Sequence, residues 1–317
     1  MLKKIIISIT LFLLAYPVFS AFAQLSEDSK VIMFTCGPGD ELYAGFGHSA
    51  LWVIDPVNKV DRLYNYGTFD FDTPNFYPKF VRGKLNYILS AYPSKYFFSD
   101  YDSRKILVNG QLLNLTPIEK QRIFEFLENN ALPANCEYKY DFFYDNCATR
   151  LRDVLVKIAD GKVNFNTTDK DISFRKMLFP YLTWTPWTKF GINLILGLTS
   201  DKKATPWDYM YLPEYMQQAF ARATIEKDGN VRKLVVEEKM YLPCRLDFKN
   251  NRIDDPVVVF SLILLLTIFV SAFEIRKKVT FKWLNYLFFI ISTLAGLFLL
   301  FMWVGTDHIA TAQNMNI

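Results

Sequence analysis

Three short runs rich in β-branched and aromatic residues, Val31 to Cys36, Ser49 to Ile54 and Val60 to Tyr66, predict strands near the start of the chain. Arg104 to Asn109 is a further candidate strand. Thr116-Pro117-Ile118-Glu119 is a capping box with proline at the first helical position, which predicts a helix running to about Asn130. Leu151, Val154, Leu155 and Ile158 recur at helical spacing behind Asn146-Cys147, so Asn146 reads as an N-cap and Cys147 as a first-turn residue. From about Ser26 to Arg252 these elements describe a mixed α/β (α+β) domain without internal repeats.

Longer apolar runs flank that domain. Lys3 and Lys4 precede an apolar stretch from Ile5 to Phe19 and then Ala21-Phe22-Ala23, the pattern of a secretory signal over residues 1–23. An uncleaved anchor helix is the alternative, and either one exports the domain at 24–252. Val257 to Phe273 and Trp283 to Val304 are long and apolar enough for transmembrane helices, with Trp283, Tyr286 and Trp303 at interfacial positions. The loop 274–282 carries Arg276, Lys277, Lys278 and Lys282 against Glu274 alone, so it is cytoplasmic by the positive-inside rule. The domain and the tail 305–317 then share the outer side, in agreement with the signal. The expected location is the cytoplasmic (inner) membrane with the main domain in the periplasm.

Composition supports that division. In 317 residues, 51% are hydrophobic and 17% aromatic, more than a fully soluble chain needs. The net charge of +4 comes from dispersed residues rather than a basic stripe, which argues against a nucleic-acid partner. Phe174 to Tyr215 holds Trp184, Trp187 and Trp207 around an apolar patch, Ile192 to Leu198. It reads either as core and loop packing or as a rim dipping into lipid headgroups.

The chemistry-bearing residues are few. Cys36, Cys136, Cys147 and Cys244 lie beyond the signal, where disulfides persist, and the sequence does not choose among their three complete pairings. No CxxC occurs and the chain has only two histidines, so no metal or cofactor is expected. At a helix start the free backbone N–H groups and the dipole favour a thiolate at Cys147, although a cysteine there is also a natural first core residue. His48 follows the flexible turn Gly45-Phe46-Gly47 at a strand mouth. It is the only ordinary base in the exported domain for a thiol nucleophile.

Four motifs carry a resemblance: Pro38-Gly39-Asp40-Glu41-Leu42-Tyr43, Phe46-Gly47-His48-Ser49-Ala50-Leu51, Tyr64-Asn65-Tyr66-Gly67-Thr68-Phe69-Asp70-Phe71 and Tyr140-Asp141-Phe142-Phe143-Tyr144-Asp145-Asn146-Cys147. In this order they resemble the Lnb N-terminal periplasmic domain family, named for a lipoprotein N-acyltransferase of Bacteroides-like bacteria. The order of a histidine before an Asn-Cys helix start also resembles the circularly permuted NlpC/P60, papain-like enzymes, among them the lecithin-retinol acyltransferase group.

The resemblance implies a reaction. Cys147, deprotonated by His48, attacks a phospholipid ester and forms a thioester. The acyl group then passes to the α-amino group of a diacylglyceryl-cysteine lipoprotein. Asn65, on the strand after His48, is the expected third group, with Tyr64 and Tyr66 as alternatives one register step away. The backbone N–H of Cys147 and the Tyr43 hydroxyl are candidate oxyanion donors. Arg104 and Arg150 are candidate partners for a lipid phosphate. The tail holds Gly305-Thr306-Asp307-His308 and stops at Ile317, where longer relatives continue into membrane-embedded sequence, which implies a short member or a truncated reading frame. Two other readings use the same residues: a cysteine hydrolase of cell-wall peptides or lipids, and a non-enzymatic envelope protein with two disulfides.

Overall fold

The computed structural model describes residues 22–247 and 255–316. The expected signal, residues 1–21 of it, lies outside them. The strands are β1 (Lys30–Cys36), β2 (His48–Asp55), β3 (Val60–Thr68), β4 (Asn86–Tyr92), β5 (Val108–Leu113), β6 (Glu137–Lys139), β7 (Lys162–Asn164), β8 (Thr224–Lys227), β9 (Asn230–Lys233) and β10 (Val235–Leu242). The helices are α1 (Phe76–Val81), α2 (Ser94–Ser103), α3 (Pro117–Asn130), α4 (Cys147–Ile158), α5 (Phe174–Leu178), α6 (Pro186–Ile195), α7 (Pro213–Arg222), α8 (Pro256–Lys277) and α9 (Lys282–Val304).

β1 is apolar and buried on both faces, and such a strand belongs in the middle of a covered sheet. It lies third in the order β10-β5-β1-β2-β3-β4-β6, and its pairs with β2 and β5 are antiparallel. One face of the sheet, with Val31, Met33, Leu51 and Tyr64, packs on Ile123 and Leu127 of α3, Leu151 and Leu155 of α4 and Phe220 of α7. The other face, with Ile32, Phe34 and Leu63, receives Phe97 and Tyr101 of α2. The expected capping box on α3 is formed, and its Glu119 does more than cap. Fully buried, Glu119 also accepts from the backbone N–H of Asp160 and from Arg232, tying the end of α4 and β9 to the start of α3.

The strand expected at Arg104 to Asn109 begins instead at Val108. Arg104 ends α2, because its N–H donates to the Asp100 carbonyl at 3.0 Å, and Lys105 then takes a left-handed conformation that closes the helix.

The aromatic segment divides into two parts, of which the first is the expected core packing. Phe174, Met177, Leu178, Tyr209 and Tyr211 form a buried cluster beside the main sheet. Helix α6 instead buries none of its residues in the domain, and its Trp187 and Phe190 pack on Phe260 of α8. The helices α8 and α9 are long and apolar enough to cross a membrane, and their large side chains face outward as a lipid environment requires. α8 runs beyond the apolar stretch because Glu274 to Lys277 stay helical, which shortens the basic turn to 278–281.

After α9 the chain folds back onto the domain. Gly197 N–H donates to Ala310 at 2.9 Å, Leu198 N–H to Gln313 at 3.1 Å and Asp307 N–H to Arg82 at 2.9 Å. Gly197 is needed for this contact, since a Cβ there would meet the Ala312 carbonyl.

The two glycines before β2 have different duties. Gly47 has φ +77°, and a Cβ on it would stand 2.7 Å from the Cys36 carbonyl, whereas Gly45 has φ −65° and a Cβ there would make only ordinary contacts of 3.5 Å or more. Gly47→Ala should therefore destabilise the full-length protein by more than about 1 kcal/mol, while Gly45→Ala stays within about 0.5 kcal/mol. Thermal unfolding in detergent micelles measures both, and equal shifts would contradict this assignment.

Candidate active site

Cys147 reaches the site because of what precedes it. Asn146 caps α4 by accepting from the N–H groups of Ala148 (2.9 Å) and Thr149 (3.0 Å), while Thr149 Oγ1 accepts from Asn146 N–H at 2.8 Å. The cap is fastened in turn, since Asn146 Nδ2 donates to the carbonyls of Phe142 and Tyr211. The thiol is thereby fixed at the first helical position. Its own N–H has no acceptor within the helix and is free to stabilise an oxyanion.

The opposing wall is the end of β2. Cys36 and His48 are cross-strand partners, so the Gly47 turn delivers the imidazole at the last rung of the sheet. On β3 a bulge at Gly67 (φ +90°) interrupts pairing with β4, and a Cβ there would stand 3.8 Å from Cys147 Cβ. The bulge lets the strand pass close to the start of α4.

Of the three candidates for the third group, Asn65 is the one that reaches His48. Its Oδ1 lies 2.6 Å from His48 Nε2, and its Nδ2 donates to Tyr92 Oη at 3.0 Å. Because the amide N–H is committed to Tyr92, Oδ1 is the acceptor and Nε2 carries the hydrogen. Nδ1 is then the ring nitrogen left for the thiol. Tyr64 and Tyr66 point to the other face of the sheet, where their hydroxyls donate to Glu128 and Asn130. The register thus selects Asn65.

The electrostatics of the pair are set by opposing effects. Burial works against charge on Cys147, yet the His48 imidazolium and the N–H groups of Ser49 and Ala148 hold the thiol below its ordinary value. Burial likewise works against the His48 cation, but the Cys147 thiolate and Asn65 raise it above its ordinary value. Each partner makes the other's charge tolerable, which favours a thiolate–imidazolium pair. Cys36, buried nearby, has no imidazolium beside it, and burial pushes its thiol strongly up despite the Tyr101 hydroxyl and the Arg104 charge. All four cysteines are free thiols.

Cys147, His48 and Asn65 line a cavity of about 470 Å³ walled by Phe46, Phe69, Phe71, Phe80, Tyr140 and Phe142. Its size and aromatic walls suit a largely apolar ligand. Tyr43 and Arg104 also line it. Arg104 pairs with Glu41 at 3.0 Å and Asp100 at 3.3 Å and lies over the Tyr43 ring, and the Tyr43 hydroxyl is engaged with Glu41 rather than turned to the thiol. Arg150 is not brought to this cavity. Its guanidinium pairs with Asp145 and stacks on Tyr138, 3.7 Å from the ring centroid, so both its charge and its plane are already occupied elsewhere. His308 is also apart, with Nε2 3.1 Å from the Phe80 carbonyl. Among the described residues no group of three His, Cys, Asp or Glu side chains is placed to hold a metal ion.

Tyr92, the Ser49 N–H and the Gly67 bulge escaped the sequence reading. Gly67 stood within a quoted motif, where a glycine inside a strand pattern was the available signal for the bulge. Tyr92 reaches Asn65 only through the pairing of β3 with β4.

Iodoacetamide alkylation of Cys147, followed by peptide mass spectrometry to separate it from Cys136 and Cys244, tests the ion pair. In the native protein the rate should rise with pH through a midpoint below that of an ordinary cysteine thiol. In His48→Ala, with the cation gone and burial remaining, the midpoint should move upward. Identical profiles would remove the pair.

Comparison with known families comes down to two matches. A model of the Lnb N-terminal periplasmic domain matches residues 19–189, more than half of the chain, and a model of the Lnb transmembrane domain matches residues 248–317. No curated protein and no solved structure matches the chain.

Proposed function

The chain belongs to the Lnb family, as an inner-membrane protein with a periplasmic main domain, and from that premise we propose that it is a lipoprotein N-acyltransferase. The observation that carries this reading is the buried Cys147–His48 pair, backed by Asn65 and opening into an aromatic cavity, in a domain fastened to two apolar helices. The order of His48 before the Asn146-Cys147 helix start is also that of the permuted NlpC/P60 enzymes.

In the first half-reaction the Cys147 thiolate attacks the ester carbonyl of a phospholipid. A C–S bond forms and the oxygen takes the negative charge, facing the Cys147 N–H. As the intermediate collapses, the ester C–O bond breaks and the His48 imidazolium gives its proton to the departing lysophospholipid oxygen. A thioester and a neutral imidazole remain. In the second half-reaction the α-amine of a diacylglyceryl-cysteine attacks the thioester carbonyl, His48 takes the amine proton, and the C–S bond breaks to restore the thiolate. Such an amine, with a pKa near ~8, is partly neutral already and needs only modest help.

The aromatic walls supply selectivity for an acyl chain, whereas Arg104 would have to exchange its pairs with Glu41 and Asp100 for a donor phosphate. Asn65 acts on His48 rather than on substrate. By accepting from Nε2–H it favours the imidazolium and orients Nδ1 toward sulfur.

The full-length protein, reconstituted with a phospholipid of defined acyl chains, should show a mass increment of one acyl group on the Cys147 peptide. Adding a diacyl lipopeptide should discharge it as the triacyl product. Cys147→Ala should abolish both, and His48→Ala should slow acylation by about 10²–10⁴-fold. Free fatty acid without lipopeptide acylation would instead establish a hydrolase.

The pH dependence has a definite sign. Acylation should rise with pH through the lowered Cys147 value and fall as pH passes the raised His48 value, since the leaving oxygen needs the imidazolium proton. Asn65→Ala should bring the alkaline limb down and Asn65→Asp should move it up. An unchanged profile in both would leave Asn65 a purely structural residue.

A further inference from the structure

Helix α1 turns Phe76 into the domain and leaves Tyr77, Phe80 and Val81 exposed, Tyr77 at 73%. Their spacing of three and four residues puts them on one side of the helix. Leu42, Tyr43 and Phe71 extend this surface. They and Phe80 line the cavity and are exposed outside it, so the apolar surface is the rim of the active-site mouth. Lys79, Arg82 and Lys84 are interspersed with it, while Asp70 and Asp72 lie in the preceding turn. An apolar patch studded with cations at a cavity mouth calls for a partner.

The chain itself fixes the height of this patch relative to the membrane. α9 ends at Val304, and three residues later the Asp307 N–H donates to the Arg82 carbonyl at 2.9 Å. His308 Nε2 donates to the Phe80 carbonyl at 3.1 Å, and the Asp307 carboxylate lies 4.0 Å from Lys84. So short a link leaves α1 at the level where the span leaves the hydrocarbon. At the start of the other span, Trp187 and Phe190 of α6 pack on Phe260, one turn inside α8. Elements of the domain are thus held at the outer end of both spans.

We propose that α1 and the Leu42–Tyr43 rim rest in the headgroup layer of the outer leaflet, so that the Cys147 cavity opens onto lipid rather than onto water. Tyr77, Phe80 and Val81 enter the acyl boundary, and Lys79 and Arg82 reach the phosphates, as on an interfacial helix. The membrane contact stands independently of acyl transfer. Its consequence rests on that reading: a donor phospholipid slides one acyl chain from the leaflet between Phe71 and Phe80 to the thiolate without crossing water.

The test uses the full-length protein in vesicles of phosphatidylethanolamine and phosphatidylglycerol. A benzophenone-bearing phenylalanine replaces Tyr77 or, as control, Val231, an exposed apolar residue of β9. On irradiation, phospholipid adducts at position 77 should exceed those at 231 by about tenfold, and equal yields overturn the membrane contact. A paired variant, Tyr77→Glu with Val81→Glu, should keep the native Cys147 alkylation profile, since neither residue lines the cavity. It should lose about tenfold in Cys147 acylation from vesicles and lose little from phospholipid dispersed in detergent. Undiminished acylation from vesicles overturns leaflet entry. Adducts at 77 without acylation of the native protein under any condition uphold the contact and reject the acyl-transfer reading.

Discussion

A buried thiolate is tolerable only against an opposite charge, and the architecture around Cys147 follows from that requirement. Desolvation alone drives a thiol toward its neutral form, as Cys36 shows on the neighbouring strand. What separates the two cysteines is His48. The imidazole has to arrive at the sheet's last rung with one nitrogen toward sulfur, so the Gly47 turn, the Asn65 acceptor and the Tyr92 hydroxyl behind it form one chain of constraints. The helix supplies the other half: Asn146 fixes the start of α4, and Phe142 and Tyr211 hold Asn146. The two halves meet only because β3 bulges at Gly67 where α4 begins.

The same logic of exclusion extends outward. Aromatic rings line the cavity, which keeps the pair in a medium of low polarity. The domain does not hang freely from its anchors. The tail after α9 bonds to α1 and to the residues that follow α6, and α6 packs on α8. Two attachment points hold the cavity at a fixed place relative to α8 and α9.

Much of this was legible in the chain and some was not. The first three strands, the capped helix α3 and the Asn146-Cys147 helix start carry local signals, namely β-branched runs and cap residues, that act over a few positions. The fourth expected strand began later because Arg104 closes α2, a helix without a strong cap signal in sequence. Arg150 resembled Arg104 as a lone cation near a motif, but a helix-start residue faces whatever packs beside it, and there Asp145 and Tyr138 claim it. The aromatic segment looked ambiguous because it is two things, a buried cluster and a helix packed on α8, in one composition.

By itself the sequence determined that a histidine and a helix-start cysteine lie in an exported domain ahead of two apolar spans, because topology and capping are written in local residue choice. Only the tertiary structure decided that Asn65 rather than Tyr64 or Tyr66 supports His48, that Arg104 and not Arg150 lines the cavity, and that the tail returns to α1. Those outcomes depend on sheet register, on a bulge and on long-range hydrogen bonds. Each of these joins residues far apart in the chain, and no local pattern encodes such a pairing.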